Sequence, residues 1–258
     1  MSERLVVIGF GPVASSLVEG LLPAVRSKEL ELTVLGAEER AAYNRVLLAE
    51  VAIGAAEPGH LGAAGVDLRL GTAATGVDRA RRVVHTSGGP VPYDRLVFAT
   101  GARPVIPSLA GLNFDPHADT ELPAGVLALR TLNDALALQA VLRGDGRVLV
   151  LGGGILGLEA ALAMASAGYR PVLVHHGPAP LGRVVDADGG TLLIRQLEAA
   201  GVHVLSGVRA TGVQKQDGRF HALATETHGL IHADALLVST GVRPRTELAE
   251  GCGLAVGH

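Results

Sequence analysis

From Arg4 the chain reads Arg-Leu-Val-Val-Ile, an apolar run without polar alternation that stops at Gly9. A strand buried on both faces of a parallel sheet has this pattern. A glycine-containing turn follows at 9–14, then apolar positions at helical spacing to about Pro23, then a second strand predicted over 31–35. Together they predict a βαβ unit. The same order of patterns returns in the middle of the chain: a strand over 147–151, a glycine turn at 152–157, a helix over 158–167 and a strand over 171–174. One supersecondary unit written twice predicts a duplicated architecture rather than one large sheet. Between the copies, the alternating segments 66–70 and 82–85 predict antiparallel strands. Residues 107–123, rich in Pro, Gly, Asn and Asp, are the linker candidate. A helix over 130–142 then enters the second half. It is followed by a helix over 190–200, two or three strands, and a last buried strand at 235–239.

Composition narrows the function classes. The 258 residues give room for two domains of about 120 each. A net charge of −3 supplies no basic footprint, so no nucleic-acid partner is expected. Cys252 is the single cysteine, which excludes an internal disulfide and a paired-cysteine redox centre. That fits a reducing compartment, and the cytoplasm is the expected location. Apolar stretches are broken by Gly, Arg or Asp well before about 18 residues, so no membrane association is expected.

The two glycine turns carry the candidate chemistry. In Gly9-Phe10-Gly11-Pro12-Val13-Ala14 the first glycine makes the turn, and the second lets a pyrophosphate approach the backbone. Ala14 is small enough for close helix–strand packing, and the helix N-terminus offers free N–H groups to phosphates. Glu38, just past the second strand, is placed to accept hydrogen bonds from ribose hydroxyls, or is an exposed loop acid. Gly152-Gly153-Gly154-Ile155-Leu156-Gly157 is the fuller match, with glycine at all three required places. Its second strand ends at His175-His176 instead of at an acid. Imidazoles there would not repel a 2′-phosphate, and Arg170 or Arg183 could attract one; the alternative is two surface histidines without a role. Neighbours in a strand point to opposite faces, so a shared metal ion is not expected.

Two such turns, with Tyr93-Asp94-Arg95-Leu96-Val97-Phe98-Ala99-Thr100-Gly101-Ala102-Arg103-Pro104 between them and Thr240-Gly241-Val242-Arg243-Pro244 after them, resemble the pyridine nucleotide–disulfide oxidoreductase superfamily. The segment Ala42-Tyr43-Asn44-Arg45-Val46-Leu47-Leu48 is similar to the FAD module that opens the large subunit of NAD(P)H-dependent nitrite reductases. The resemblance implies an α/β fold of two Rossmann-like, three-layer nucleotide-binding domains, the second inserted into the first. It implies an FAD domain over 1–112, an NAD(P)H domain over 113–242, and a return to the FAD domain over 243–258. It also implies that Thr100, Gly101 and Arg103 pass close to FAD, that Arg45 contacts its phosphates and that Ala74 lines its adenine side. Gly241 belongs to the corresponding motif of the second domain, and Glu159 would lie near the nicotinamide. A surface salt bridge is the alternative for Arg45, and a salt bridge at the core edge is the alternative for Glu159.

Three departures from that family shape the expected function. The redox cysteine pair is absent, Glu50 stands where some relatives place a lysine beside the flavin, and the sequence ends at His258 before the family's second FAD motif. A fragment of a larger enzyme or a shortened relative is therefore expected, one that holds FAD poorly. The implied activity is electron transfer from NAD(P)H through FAD to a downstream acceptor domain or protein. No side chain is expected to act as acid, base or nucleophile. A ferredoxin or rubredoxin reductase, an NADH oxidase of the same fold, or a non-catalytic nucleotide-binding fragment are the alternatives.

Overall fold

A computed structural model of the chain describes residues 2–57, 59, 65–112 and 122–257. The chain divides into two compact units. One comprises Met1–Arg45, Pro58–Arg103 and Pro244–His258; the other comprises Val46–Glu57 and Pro104–Arg243.

In the first unit the expected βαβ motif consists of β1 (Glu3–Ile8), α1 (Pro12–Arg26) and β2 (Leu30–Leu35). These strands belong to a parallel sheet in the order Asp67–Arg69, β2, β1, Arg95–Phe98. The uninterrupted apolar run of β1 is explained by what covers each face. Leu5 and Val7 pack with Phe10, Ala14 and Val18 on the α1 side. Val6 and Ile8 pack with Val84, Val91 and Tyr93 of the opposite layer. That layer is a three-stranded antiparallel sheet of Ala74–Asp78, Val83–Thr86 and Val91–Pro92.

Two expectations for this unit need correction. Residues 66–70 do not form an antiparallel strand: Asp67–Arg69 runs parallel to β2, with Val34 opposite Leu68. Alternation in so short a segment carries no direction. Val66, Leu68 and Leu70 pack on the α1-side cluster, which fixes the buried face of this segment and not its direction. The first helix also continues past Pro23 to Arg26. Leu21, Leu22 and Val25 pack on the same cluster, and this burial offsets the missing proline N–H.

The second unit has a parallel sheet in the order His203–Leu205, Val172–Val174, Val148–Leu151, Ala235–Val238, Val126–Leu127. Leu149 and Leu151 pack with Val213, Phe220 and Leu223 of an antiparallel sheet formed by Ala210–Gln216, Arg219–Thr225 and Gly229–His232. Val148 and Val150, which point the other way, are buried as well. Helix Ile155–Ser166 lies against the central strands. Helix Leu132–Arg143 starts at a capping box in which the Thr131 hydroxyl accepts from the Asp134 N–H and the Asp134 carboxylate accepts from the Thr131 N–H. A short helix, Leu48–Ala52, also belongs to this unit; the Gln139 side chain donates to its Val51 carbonyl at 3.0 Å. Nothing in the sequence pattern separated it from the first half.

Of the linker candidate, residues 113–121 lie outside the described residues. Leu109 and Leu112, just before them, are buried in the second unit's core beside Val126. The first unit therefore gives way to the second at Arg103, not at the expected 112. Among the described residues, no helix is long and apolar enough to cross a membrane, and no group of three His, Cys, Asp or Glu could hold a metal ion.

Candidate functional site

Each unit places its glycine turn at the C-terminal ends of its parallel strands. In the first, Gly9 has φ +104°, and a Cβ there would lie 2.2 Å from the Ala99 carbonyl oxygen. Only glycine fits, on conformation and on space. Gly11 is the extended residue before α1, Pro12 sits in the first turn, and Ala14 is fully buried against the sheet. No side chain caps α1 and no acid lies in its first turn. Next to the turn, Thr100 and Gly101 are tied to the returning segment: the Thr100 hydroxyl donates to the Arg245 carbonyl at 2.7 Å, and the Arg245 N–H to that of Gly101 at 3.0 Å.

Beside Gly11 lies a charged cluster. A Cβ on Gly11 would come 3.9 Å from Arg45 Nε. The Arg45 guanidinium pairs with Glu38, and the Tyr43 hydroxyl donates to Glu38 Oε2 at 2.9 Å. Glu38 is thus not a free loop acid: both its oxygens are engaged within the chain. Ala74 begins the strand after the loop 71–73, whose backbone bonds to Glu38 and Gly36. Arg103 is ion-paired to Glu247, which ties it to the chain's last helix. Tyr43 is a member of this cluster that sequence reasoning did not single out.

The second unit repeats the geometry. Gly152 has φ +124°, and a Cβ on it would lie 2.2 Å from the Ser239 carbonyl oxygen. Ser239 thus stands to Gly152 as Ala99 stands to Gly9. Gly154 precedes the helix with open space around it, and Gly157 packs directly on the turn. Ile155 is 59% exposed in the first helical turn, an apolar side chain presented beside the uncapped N–H groups. Glu159 is exposed on the same helix, and among the described residues it has no ion-pair partner. Gly241, at φ +119°, follows the strand Ala235–Val238, and its carbonyl accepts from the Val105 N–H.

The two histidines divide. His175 is 5% exposed, and its Nε2 lies 2.9 Å from the Ser206 hydroxyl. Burial pushes its pKa below the ordinary histidine value, and neighbouring His176 adds to this, so the ring is held neutral. His176 is exposed. Of the two arginines, Arg183 lies in the loop that Leu181 ties to the glycine turn by an N–H bond to the Gly153 carbonyl at 2.8 Å. Arg170 does not belong to the site. It precedes the strand Val172–Val174, at the opposite end from His175, and lines a cavity with Arg147 and His203. The strand predicted over 171–174 already sets Arg170 at its start and His175 at its end, so the sequence itself argues against pairing them at one site. Ser206, by contrast, left no signal, since it follows a different strand.

The residues present fit two dinucleotides on three observations. Each turn brings bare backbone to the place where a Cβ would collide. Each helix start lacks a side-chain cap, leaving N–H donors for phosphate. The Ser15 hydroxyl in the first turn of α1 is buried and, among the described residues, has no partner.

Two parallel sheets, each opened by a glycine turn at a helix start, define a duplicated Rossmann-type α/β protein. The chain belongs to the pyridine nucleotide-disulphide oxidoreductase family, whose model matches residues 3–258. It is 32% identical over 266 residues to the nitrite reductase (NADH) large subunit of Escherichia coli K12, covering 98% of this chain and 30% of that protein. It is 30% identical over 268 residues to the nitric oxide reductase FlRd-NAD(+) reductase of Escherichia coli SMS-3-5, covering 100% of this chain and 67% of that protein. Among solved structures, the putidaredoxin reductase–putidaredoxin complex superposes with a TM-score of 0.85 at 27% identity, over 99% of this chain and 62% of that one. The chain thus spans about 30% of that nitrite reductase's length.

Proposed function

We propose that the chain is the electron-input part of an NAD(P)H-dependent reductase, with FAD at the first glycine turn and NAD(P)H at the second. The observation that carries this reading is the repeated contact of a positive-φ glycine on a strand-end carbonyl, Gly9 on Ala99 and Gly152 on Ser239. In this reading the second unit is a nucleotide domain inserted into the first, and the acceptor is a further domain or a separate protein in the cytoplasm. Bound flavin would supply a ring that takes a hydride from reduced nicotinamide and releases electrons to the acceptor.

The chain's own residues bind and orient. Gly9, Gly11, Pro12 and Ala14 form the phosphate cradle for FAD, with Arg45 as its fixed cation. Glu38 and Ala74 serve the adenosine end, and Thr100, Gly101 and Arg103 border the flavin end. For NAD(P)H, Gly152, Gly154, Ile155 and Gly157 form the cradle, His175 and Arg183 face the ribose and its 2′-substituent, and Glu159 and Gly241 border the nicotinamide. No side chain is assigned acid, base or nucleophilic work, and Cys252 alone cannot cycle a disulfide.

The test is direct. Protein reconstituted with FAD should oxidise NADPH or NADH with ferricyanide while leaving glutathione disulfide and lipoamide untouched. A colourless protein that binds NADPH without oxidising it would replace this reading with the non-catalytic one. A second reading, reductase of a small electron carrier, is favoured by the 29% identity to the ferredoxin–NAD(+) reductase component of the Paraburkholderia xenovorans biphenyl dioxygenase system. Faster reduction of ferredoxin or rubredoxin than of other acceptors would select it.

A further inference from the structure

We propose that Tyr43 is a positioning residue that fixes Arg45 at the first glycine turn and so sets how tightly this turn holds a dinucleotide's phosphates. The inference rests on the FAD reading of that turn. Tyr43 is 2% exposed, so its ring is enclosed by protein and shielded from solvent. From that fixed ring two contacts reach the charged pair. The hydroxyl donates to Glu38 Oε2 at 2.9 Å, leaving Oε1 for the Arg45 guanidinium. The ring face lies 4.8 Å from the Arg45 Cζ, at cation–π distance. Arg45 is thereby held by a carboxylate and by a ring face, with its Nε 3.9 Å from where a Cβ on Gly11 would lie.

The physical consequence concerns entropy and charge. A free arginine loses about 2 kcal/mol of rotamer freedom when a ligand immobilises it. A guanidinium already clamped between a carboxylate and an aromatic face loses less, so more of its attraction for phosphate survives as affinity. The Tyr43 hydroxyl also directs the Glu38 charge. Without that bond the carboxylate can turn and change how it holds the Arg45 guanidinium. A tyrosine that merely filled the core would influence affinity without reference to Arg45.

A double-mutant cycle separates these roles. FAD affinity is measured by quenching of flavin fluorescence for the wild type, Tyr43→Phe, Arg45→Ala and the double variant. Tyr43→Phe keeps the ring and removes only the hydroxyl. It should weaken FAD about tenfold in the wild-type background, the scale of a hydrogen bond to a charged group. In the Arg45→Ala background the same change should cost clearly less than in the wild type, leaving only what the hydroxyl contributes through Glu38. Equal losses in both backgrounds, or no loss in the wild-type background, overturn the inference while leaving the FAD reading intact. A wild-type chain that binds no flavin removes the FAD reading and this inference with it.

Discussion

Gly157 lies so close to Gly152 that a Cβ on Gly157 would come within 2.4 Å of the Gly152 carbonyl oxygen. The obstacle is backbone, which cannot rotate away as a side-chain tip could. The helix Ile155–Ser166 is therefore seated directly on the glycine turn, and the spacing from 152 to 157 records that seating.

Gly157→Ala should accordingly destabilise the protein by about 1–3 kcal/mol, the usual range for overpacking a close contact. Gly154→Ala, at a position with φ −84° and no heavy atom within 4 Å of the added carbon, should change stability by less than about 0.5 kcal/mol. Urea unfolding of both variants gives the comparison. Similar midpoints for the two would mean that the helix can lift off the turn without cost.

How far the sequence reveals this molecule depends on whether a feature is local. The strands β1 and β2, the first glycine turn and its repeat were legible because each is written in consecutive residues with a conformational demand. The two-sided burial of β1 was legible for the same reason. Direction and partnership were not. The strand Asp67–Arg69 alternates polar and apolar residues, a pattern without direction, and lies parallel to β2. The same holds at the site. Glu38 and Arg45 were readable as candidates, yet their pairing with each other and with Tyr43 depends on how residues 36–45 fold back beside Gly11. The Ser206 bond to His175 spans 31 positions and leaves no sequence signal at all.

Asp94 offers a test of how β1 is anchored. Its carboxylate accepts from the Arg4 N–H at 2.9 Å and from the guanidinium at 3.0 and 2.9 Å. These bonds, the side-chain ones foremost, hold the carboxyl well below the usual carboxylate range. A folded pKa below the unfolded one contributes stability that is present above the unfolded value, about 4, and is lost as pH falls through the folded one. Asp94→Asn should lower the urea midpoint at pH 7, with the gap narrowing progressively below about pH 4. A gap that persists undiminished in acid would show that the amide disturbs packing and not charge.

His175 controls a different pH window. The unfolded imidazole titrates near 6.5, and burial holds the folded one lower. Between the two values the unfolded chain binds a proton that the folded chain refuses, so stability rises with pH there. The contribution is complete above about 6.5 and drains away as pH falls through the folded value. His175→Gln, which keeps a hydrogen-bonding group near Ser206 without a titrating ring, should flatten the pH dependence of the thermal midpoint below about pH 6.5. An unchanged slope in that variant would assign the transition to another group.

Position 175 also decides the expected coenzyme preference, given the NAD(P)H reading of the second turn. The strand Val172–Val174 ends beside the glycine turn, where the side chain at 175 sits close under Gly153: a Cβ on Gly153 would lie 3.0 Å from the imidazole. An acid there would bind the ribose diol and repel a 2′-phosphate. A neutral ring held by Ser206 does neither, while Arg183 lies in the loop tied to the same turn. NADPH should therefore bind at least as tightly as NADH, as isothermal calorimetry would report. His175→Glu should shift the ratio toward NADH by about tenfold, equivalent to about 1.4 kcal/mol. Because position 175 is buried, part of the new carboxylate's charge would be lost to desolvation, so the shift should grow as the pH rises above neutrality. Arg183→Ala should weaken NADPH while leaving NADH unchanged. Strong NADH preference in the wild type, with both variants neutral, would remove position 175 and Arg183 from the ribose site together.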